Sequence, residues 1–594
     1  MTDLSWRCRS IRWIAGLILA CFLGSDFPLE RVAADEPELT NFVGENIGLC
    51  LEIRDLGSQI RDVPSTEWFR HLRDLSLVKR WQQGPEFAKW QAGQAGLSHL
   101  LGQSLEQFVT ELFGESVVIA ISPSPSGPPM AVLLSRSAKD DTWDRVLALW
   151  DQLEAHDVQT KSAFGRSYQL RRKKTNGQTT GPDLFTVKLG RTLAISEREE
   201  LILDVIVRAT SESKDDRVKP LGQSPAYRRA IAELPERSVV RLFVDPRRWD
   251  NDVAKNAASA AWLMPLWHRL QWFSAGVEVR DGLVFHAIAH HDTNDLSPIW
   301  QRFVTASETP SGLSARLPAD ALLAGETRIT PDFFSSLQTL DPSEKSQRDW
   351  QTFVKVTRGL LGRDLLDEVL PHARPNIGGA IVPKSPVDEQ STPVDGLLAW
   401  PFDLSNDGSN KSDQPALRES LDGALLTLLN FAAVAHNSRN PDSPATLMVR
   451  HRESMTVRWL DNLPPFRPAY GLTAGHLLLA SDPRLISAFD ERSGAENGLG
   501  AEPLFATIRS RHFSKHSQWL FLNARTTRRF LDEQREPLSR QVAHWRNIAP
   551  PSAAAHLSRV QELLTPFDAA FIAANVTAGE IRFTAGVVTP DELR

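Results

Sequence analysis

The chain has 594 residues, enough for several domains with hydrophobic cores of ordinary size. Hydrophobic residues make up 41% and charged residues 24% of it, a balance that excludes a chain disordered throughout. The formal net charge is −6 at pH 7, and this lack of concentrated positive charge predicts no binding to nucleic acid.

The N-terminus has the pattern of an export signal. Arginines precede an apolar stretch at residues 13–24, which is too short to span a bilayer comfortably. Small side chains end the segment, so we predict cleavage after Ala34. Residues 1–34 are then the signal peptide, and residues 35–43 form a tether before the first folded element.

Cysteine placement leaves the processing route open. Ile18-Leu19-Ala20-Cys21 is close to a lipobox, so acylation of Cys21 is an alternative to ordinary cleavage or to an uncleaved anchor. Cys50 is the one cysteine beyond this segment, and it stands in an alternating stretch that predicts a strand at residues 47–53. Because no basic or histidine partner is near it in sequence, Cys50 is predicted to be a structural thiol.

Residues 44–291 form the first predicted half, with modules at 44–210 and 224–291. Leu100-Leu101-Gly102 precedes Ser104, the predicted N-cap of a helix. Strands follow at 117–121 and 130–134, and then a helix at 140–154. The unit Gly190-Arg-Thr-Leu-Ala-Ile-Ser196 predicts a turn, a buried strand and a helix-capping serine.

The same order of motifs returns in the second half. Leu360-Leu361-Gly362 lies 260 residues after the first Leu-Leu-Gly, and Gly475–Ser481 repeats the Gly190 unit at an offset of 285. The ordered matches predict two duplicated halves, 44–291 and 318–594, joined by a connecting segment at 292–317. The second half is predicted to contain modules at 318–490 and 502–589.

Short links between neighbouring predicted strands leave no room for parallel crossovers, so we predict the α+β class. The expected architecture is internally duplicated, with antiparallel or mixed sheets and helices packed on one face. This plan resembles a family of exported bacterial proteins of unknown function built from repeated α+β modules. The resemblance rests on residues 100–105, 190–196, 317–318, 360–365 and 475–481. It implies an exported α+β protein and supplies no catalytic residues.

Motifs of the common enzyme classes are missing from the sequence. There is no Gly-x-x-x-x-Gly-Lys phosphate loop, no Gly-x-Ser-x-Gly elbow and no His-Glu-x-x-His helix, and no cofactor is predicted. The candidate metal ligands are His290 and Asp292, near the end of a predicted strand. No third ligand is evident, and His286 is too far along the same strand to share an ion with His290. The alternative interpretation is a solvated strand end.

These observations favour a non-catalytic exported protein that acts in the cell envelope as a scaffold or binding protein. Its ligand and its partners are unknown from sequence, and its N-terminal segment offers a route to membrane association. The alternative hypothesis is an exported hydrolase with a site between the two halves, because domain junctions commonly form ligand sites.

Overall fold

The computed structural model describes residues 37–589, except for 125–126, 154–155, 176–177, 180–181, 211–218, 256–266, 280, 293–311, 331–343, 385–391, 405–415 and 493–496. The predicted signal peptide with its cleavage site after Ala34, Cys21 and most of the connecting segment therefore lie outside the described residues. The chain divides into two units, Met1–Asp292 (unit 1) and Thr293–Arg594 (unit 2). The predicted halves, 44–291 and 318–594, fall on these two units.

Unit 1 alternates between helical and extended segments. Its strands are β1 (Leu49–Arg54), β2 (Ser116–Ser122), β3 (Met130–Arg136), β4 (His156–Ala163), β5 (Arg166–Thr175), β6 (Gln178–Thr179), β7 (Leu184–Leu189), β8 (Thr192–Ser196), β9 (Val240–Val244), β10 (Leu270–Glu278) and β11 (Gly282–His291). Its helices are α1 (Leu56–Asp62), α2 (Glu67–Asp74), α3 (Ser76–Gln82), α4 (Pro85–Leu101), α5 (Leu105–Phe113), α6 (Thr142–Leu153), α7 (Glu199–Thr210), α8 (Pro225–Ala232) and α9 (Asp250–Lys255).

Unit 2 is built from a similar series of segments. Its strands are β12 (Leu323–Arg328), β13 (Asn376–Pro383), β14 (Val394–Pro401), β15 (Thr446–His451), β16 (Thr456–Asp461), β17 (Ala469–Leu472), β18 (His476–Ala480), β19 (Gln518–Asn523), β20 (Ala569–Val576) and β21 (Glu580–Val588). Its helices are α10 (Glu344–Leu361), α11 (Leu417–Asn437), α12 (Pro483–Glu491), α13 (Pro503–Ile508), α14 (Ala524–Glu533), α15 (Arg535–Arg546) and α16 (Pro550–Leu564).

Every described strand pair is antiparallel, and the α+β class is confirmed. In unit 1 the neighbours run in the order β4, β5, β7, β8, β3, β2, β1, β9, β10, β11. In unit 2 the order is β15, β16, β17, β18, β14, β13, β12, β19, β20, β21. The two orders correspond strand for strand. Common ancestry of the halves stays a prediction, since superposition of the two units is the observation that bears on it.

Core side chains lie on both faces of the sheet in unit 1. Val118 and Ala194 pack with Ile202 of α7 in one cluster. Val117 and Leu193 point the opposite way, because successive strand residues alternate between faces, and they pack in a second cluster with α1, α5 and α6. The predicted packing of helices on one face is therefore wrong for unit 1, where an apolar residue at nearly every strand position allows both faces to be covered.

The two Leu-Leu-Gly motifs end helices rather than opening them. Gly102 follows α4 with φ 66°, and Gly362 follows α10 with φ 65°. This left-handed conformation is the one that glycine adopts without strain at a helix C-terminus. The predicted N-cap is confirmed, since Ser104 Oγ accepts a hydrogen bond of 3.1 Å from Gln107 N–H at the start of α5.

Candidate functional site

An apolar groove lies on one face of the unit 2 sheet. Two adjoining depressions of about 540 and 410 Å³ share Gly325, Gly379, Leu398 and Leu520 in their walls. Gly396 lines the first depression and Ile572 lines the second. We call this feature the apolar groove and define it by those six residues, Gly325, Gly379, Gly396, Leu398, Leu520 and Ile572.

Strand alternation explains why the groove is apolar. Ala324 and Glu326 of β12 point to the buried face and are 1% and 6% exposed. Leu323 and Gly325 point the other way and line the groove. The same alternation leaves Leu398 of β14 39% exposed. Both faces of these strands thus carry apolar residues, although only one face is fully covered.

Helices bound the groove along β14. Val394 packs against the cluster formed by Phe530 and Leu538 of α14 and α15. Trp400 packs against the cluster that contains Leu417 of α11. Since residues 394, 396, 398 and 400 share one face of β14, Gly396 and Leu398 lie between the two helical groups.

Backbone forms the floor of the groove where side chains are missing. The strand registers join Leu398, Gly379, Gly325, Leu520 and Ile572 in one row of directly paired residues across five strands. With Leu479 of β18, which pairs with Leu398, the row crosses six strands and five spacings, about 24 Å in length. The two adjacent glycines make a notch in the middle of this row.

Unit 1 has large side chains at the positions that form the notch. Its corresponding row is Leu133, Ile119, Leu51, Leu242 and Ala275. Leu51 and Ile119 therefore stand where unit 2 has Gly325 and Gly379. By register Ala131 is the equivalent of Gly396, since the two pair with the equivalent Ile121 and Ile381. The groove is thus a feature of unit 2 that its strand order alone does not produce.

Polar groups lie along the edges of the groove. On one edge Thr327 Oγ1 donates to Gln518 Oε1 at 3.3 Å, and both residues line the second depression. Near the first depression Ser481 Oγ donates to Asp395 Oδ1 at 2.9 Å and accepts from Gly396 N–H at 2.9 Å. An apolar groove with polar edges is suited to a ligand that has a long apolar chain and a small polar group.

A network of charged side chains lies next to Ser481. Asp482 is 1% exposed and accepts hydrogen bonds from Arg484 through both the backbone N–H and the guanidinium. Burial acts to raise the pKa of this carboxyl, but the hydrogen bonds from Arg484 outweigh it and hold the pKa below its usual value. The network therefore stays ionised and anchors the turn between β18 and α12.

The two predicted metal ligands, His290 and Asp292, make different contacts in the structure. The His290 ring stacks on Trp272, with centroids 5.1 Å apart and an interplanar angle of 23°. The Asp292 backbone N–H donates to the carbonyl of Arg269. Among the described residues, no group of three or more metal-ligating side chains contains either one. A metal site at His290 and Asp292 stays a prediction without a third ligand.

His286 contacts a carboxylate that the sequence pattern did not indicate. Its Nε2 lies 2.7 Å from Oε1 of Glu278, across the β10–β11 hairpin. Gly276 is the residue directly opposite His286, so the contact runs along the diagonal of the ladder. Sequence distance alone gives no sign of such a pair.

Cys50 is buried in the core of unit 1. Burial raises the pKa of its thiol far above the ordinary value, and the neighbouring Glu52 carboxylate acts in the same direction. The thiolate, which is the nucleophilic form, is therefore strongly disfavoured at neutral pH. The placement agrees with the structural role predicted for Cys50.

A buried glutamate, followed two residues later by an arginine, recurs in the first strand of each unit. The motifs described above did not include it. The strand β1 reads Leu-Cys-Leu-Glu-Ile-Arg and β12 reads Leu-Ala-Gly-Glu-Thr-Arg, with Glu52 and Glu326 on the buried face at 5% and 6% exposure. Burial raises the pKa of Glu52, although Arg54 and Arg241 pull it down. The spacing Leu-x-x-Glu-x-Arg was the available signal.

Comparisons with known proteins add little. No family model matches the chain, and no curated protein matches it. The solved structure of TP0453 in its crystal form III matches 46% of this chain and 87% of that chain, with 10% sequence identity and a TM-score of 0.25. A TM-score this low supports no conclusion about fold or function. Similarity to the family of exported bacterial proteins of unknown function stays a prediction.

No described helix has both the length and the hydropathy needed to cross a membrane.

Proposed function

We propose that this protein is an exported, non-catalytic binding protein of the cell envelope. Its ligand is an amphipathic molecule with a long apolar chain, and its binding site is the apolar groove of unit 2. The chain of the ligand lies across the strands, over Gly379 and Gly325, and the polar group lies near Thr327 and Gln518.

The notch in the central row is the observation that carries this proposal. In unit 1 Leu51 and Ile119 occupy the equivalent positions. In unit 2 two glycines stand between Leu398 and Leu520, which are 39% and 44% exposed, and Cδ1 of Leu520 lies 3.1 Å from the position that a Cβ on Gly325 would take. Covering such a surface removes apolar area from water, and this is favourable by about 25 cal/mol per Å².

Binding rather than catalysis fits the composition of the groove. Its walls are mainly glycine, alanine and aliphatic side chains. Glu326 is the ionisable residue among the described walls, and its side chain points to the buried face. General acid–base catalysis requires a titratable group within hydrogen-bonding reach of the substrate.

A fluorescent fatty acid, cis-parinaric acid, tests the site directly. We expect saturable binding to purified residues 35–594, with emission that rises because the probe leaves water. Gly396→Leu should weaken binding by about tenfold or more, since no atom lies within 4 Å of the added Cβ and the new side chain extends into open groove.

Gly93→Leu is the matched control for this experiment. Gly93 lies in α4 of unit 1, and its added Cβ also has no atom within 4 Å. Binding by this variant should equal that of the wild type. Unsaturable binding, equal affinities in the two variants, or turnover of the ligand would contradict the proposal. Export is tested separately by the intact mass of the chain from envelope fractions, which should begin at Asp35.

A further inference from the structure

Helix α11 has an apolar stripe that the core covers over only half its length. Leu417, Leu421 and Ala424 are 0%, 6% and 5% exposed. Leu428 and Phe431 continue the same alternation of four and three residues, so they lie on the same face. They are 49% and 64% exposed. The stripe therefore extends beyond the part of unit 2 that buries it.

The uncovered half of α11 exposes apolar side chains beyond the stripe as well, although Asn430 is also exposed there. Residues 423–437 contain no Asp, Glu, Lys or Arg. Val434, which lies off the stripe, is 66% exposed. A helix that pairs with a second helix needs one apolar seam, whereas exposed apolar side chains beyond a single seam on an uncharged segment favour lipid.

Length limits how deeply this segment can enter a bilayer. Fifteen helical residues, 423–437, extend about 22 Å, which is less than the hydrocarbon thickness of about 30 Å. A segment of this length fits the boundary between lipid headgroups and acyl chains.

The neighbouring helix α10 carries exposed charge. The two helices are in contact, and Leu361 of α10 packs against the cluster that contains Leu417. Lys345, Arg348 and Lys355 are exposed on α10, together with Asp349. Phe353 and Val356 of the same helix are 43% and 54% exposed. Exposed aromatic and aliphatic side chains beside lysine and arginine are the pattern of an interfacial helix.

We propose that α10 and the C-terminal half of α11 form a docking surface for an anionic lipid membrane. The exposed apolar side chains of both helices enter the acyl boundary, and the lysines and the arginine of α10 contact the lipid headgroups. The chain as a whole carries −6, so the attraction is local to α10 and weakens with salt. The residues of this surface differ from those of the apolar groove, although α11 also bounds that groove, and the surface does not require an anchor at the N-terminus.

Vesicle co-sedimentation of residues 35–594 tests this surface. We expect the protein to pellet with vesicles that contain phosphatidylglycerol, and to pellet less with pure phosphatidylcholine or at high salt. The double variant Phe431→Ser and Val434→Ser should have a partition coefficient into vesicles that is lower by about tenfold or more. The double variant Lys345→Glu and Lys355→Glu should lose the preference for the anionic lipid.

Phe164→Ser is the matched control. Phe164 is 62% exposed at the β4–β5 turn of unit 1, close to the 64% of Phe431, and vesicle binding should not change. Circular dichroism of each variant reports folding. Absence of pelleting in the wild type, or equal partition of wild type and the serine variant, would overturn the proposal. A serine variant that changes the oligomeric state in light scattering, with no vesicle binding, would assign the surface to a second copy and also overturn it.

Discussion

Glycine has two physical roles at the scale of single residues. Gly102 and Gly362 adopt φ near +65° at helix ends, where a Cβ is strained by the backbone conformation. Gly325 and Gly379 have extended strand conformations, and their missing Cβ atoms let the side chains of Leu520 and Leu398 approach the backbone, to 3.1 and 3.9 Å from the Cβ positions. The sequence motif identified the first pair. The role of the second pair becomes evident only when strand pairing places the two residues side by side.

The helix-end role predicts opposite effects for two neighbouring glycines. Gly362→Ala should lower the free energy of unfolding by about 1 kcal/mol, because alanine tolerates positive φ poorly. Gly359→Ala, within α10, should raise it by about 0.5–1 kcal/mol, because alanine favours the helix more than glycine does. An added Cβ at either position has no atom within 4 Å, so packing does not enter. Urea denaturation measures both changes, and equal effects would contradict the assignment of Gly362.

Serine positions show where residue-level reasoning failed. The repeated unit aligns Ser196 with Ser481, but the strand registers make Ala480 the equivalent of Ser196. Asp482 caps α12, whereas Ser481 bonds to β14, so the predicted capping role is wrong at Ser481. A one-residue shift in a strand exchanges its two faces, and pairing partners far away in sequence decide the register.

At the scale of secondary-structure elements, alternating patterns identified the antiparallel strands well. The apolar groove was missed because β12, β13 and β14 carry apolar residues on both faces, as fully buried strands do. Whether a face is covered depends on neighbours such as β19, which pairs with β12 from about 200 residues away in the chain. The sequence therefore predicts the elements more easily than the open surface between them.

Contact between β18 and α12 predicts a pH dependence of stability. The His476 ring lies 5.3 Å from the Phe489 ring, and burial, aided by repulsion from Arg316 and Arg374, lowers the pKa of His476 from 6.5 to about 4. The unfolded chain then binds this proton first as pH falls. Stability should therefore be complete above pH 6.5 and be lost progressively between about 6.5 and 4, by at most about 3 kcal/mol before solvent screening reduces it.

His476→Phe should remove this part of the pH dependence. Thermal or urea unfolding from pH 7 to pH 4 measures it, with His436→Phe on the surface of α11 as the control. The buried Asp482 has a lowered pKa, so its contribution is lost only below about pH 3.8, outside this window. An unchanged slope in His476→Phe would contradict the assignment.

At the scale of the whole molecule, two units share a strand order and differ in what their sheet faces carry. Ordered motifs in the sequence indicated this relation, with offsets of 260 at Leu-Leu-Gly and 285 at Gly190 and Gly475. The sequence alone did not predict that the two units differ in function. The difference follows from the central rows, where Leu51 and Ile119 of unit 1 correspond to Gly325 and Gly379 of unit 2.

A crystal structure of residues 35–594 with a brominated fatty acid tests the central claim most directly. The anomalous signal of bromine locates the ligand without reference to the protein density. We predict bromine peaks over Gly379 and Gly325, with the carboxylate of the ligand near Thr327 and Gln518. Bromine peaks confined to unit 1, or an empty apolar groove in crystals grown at saturating ligand, would contradict the account.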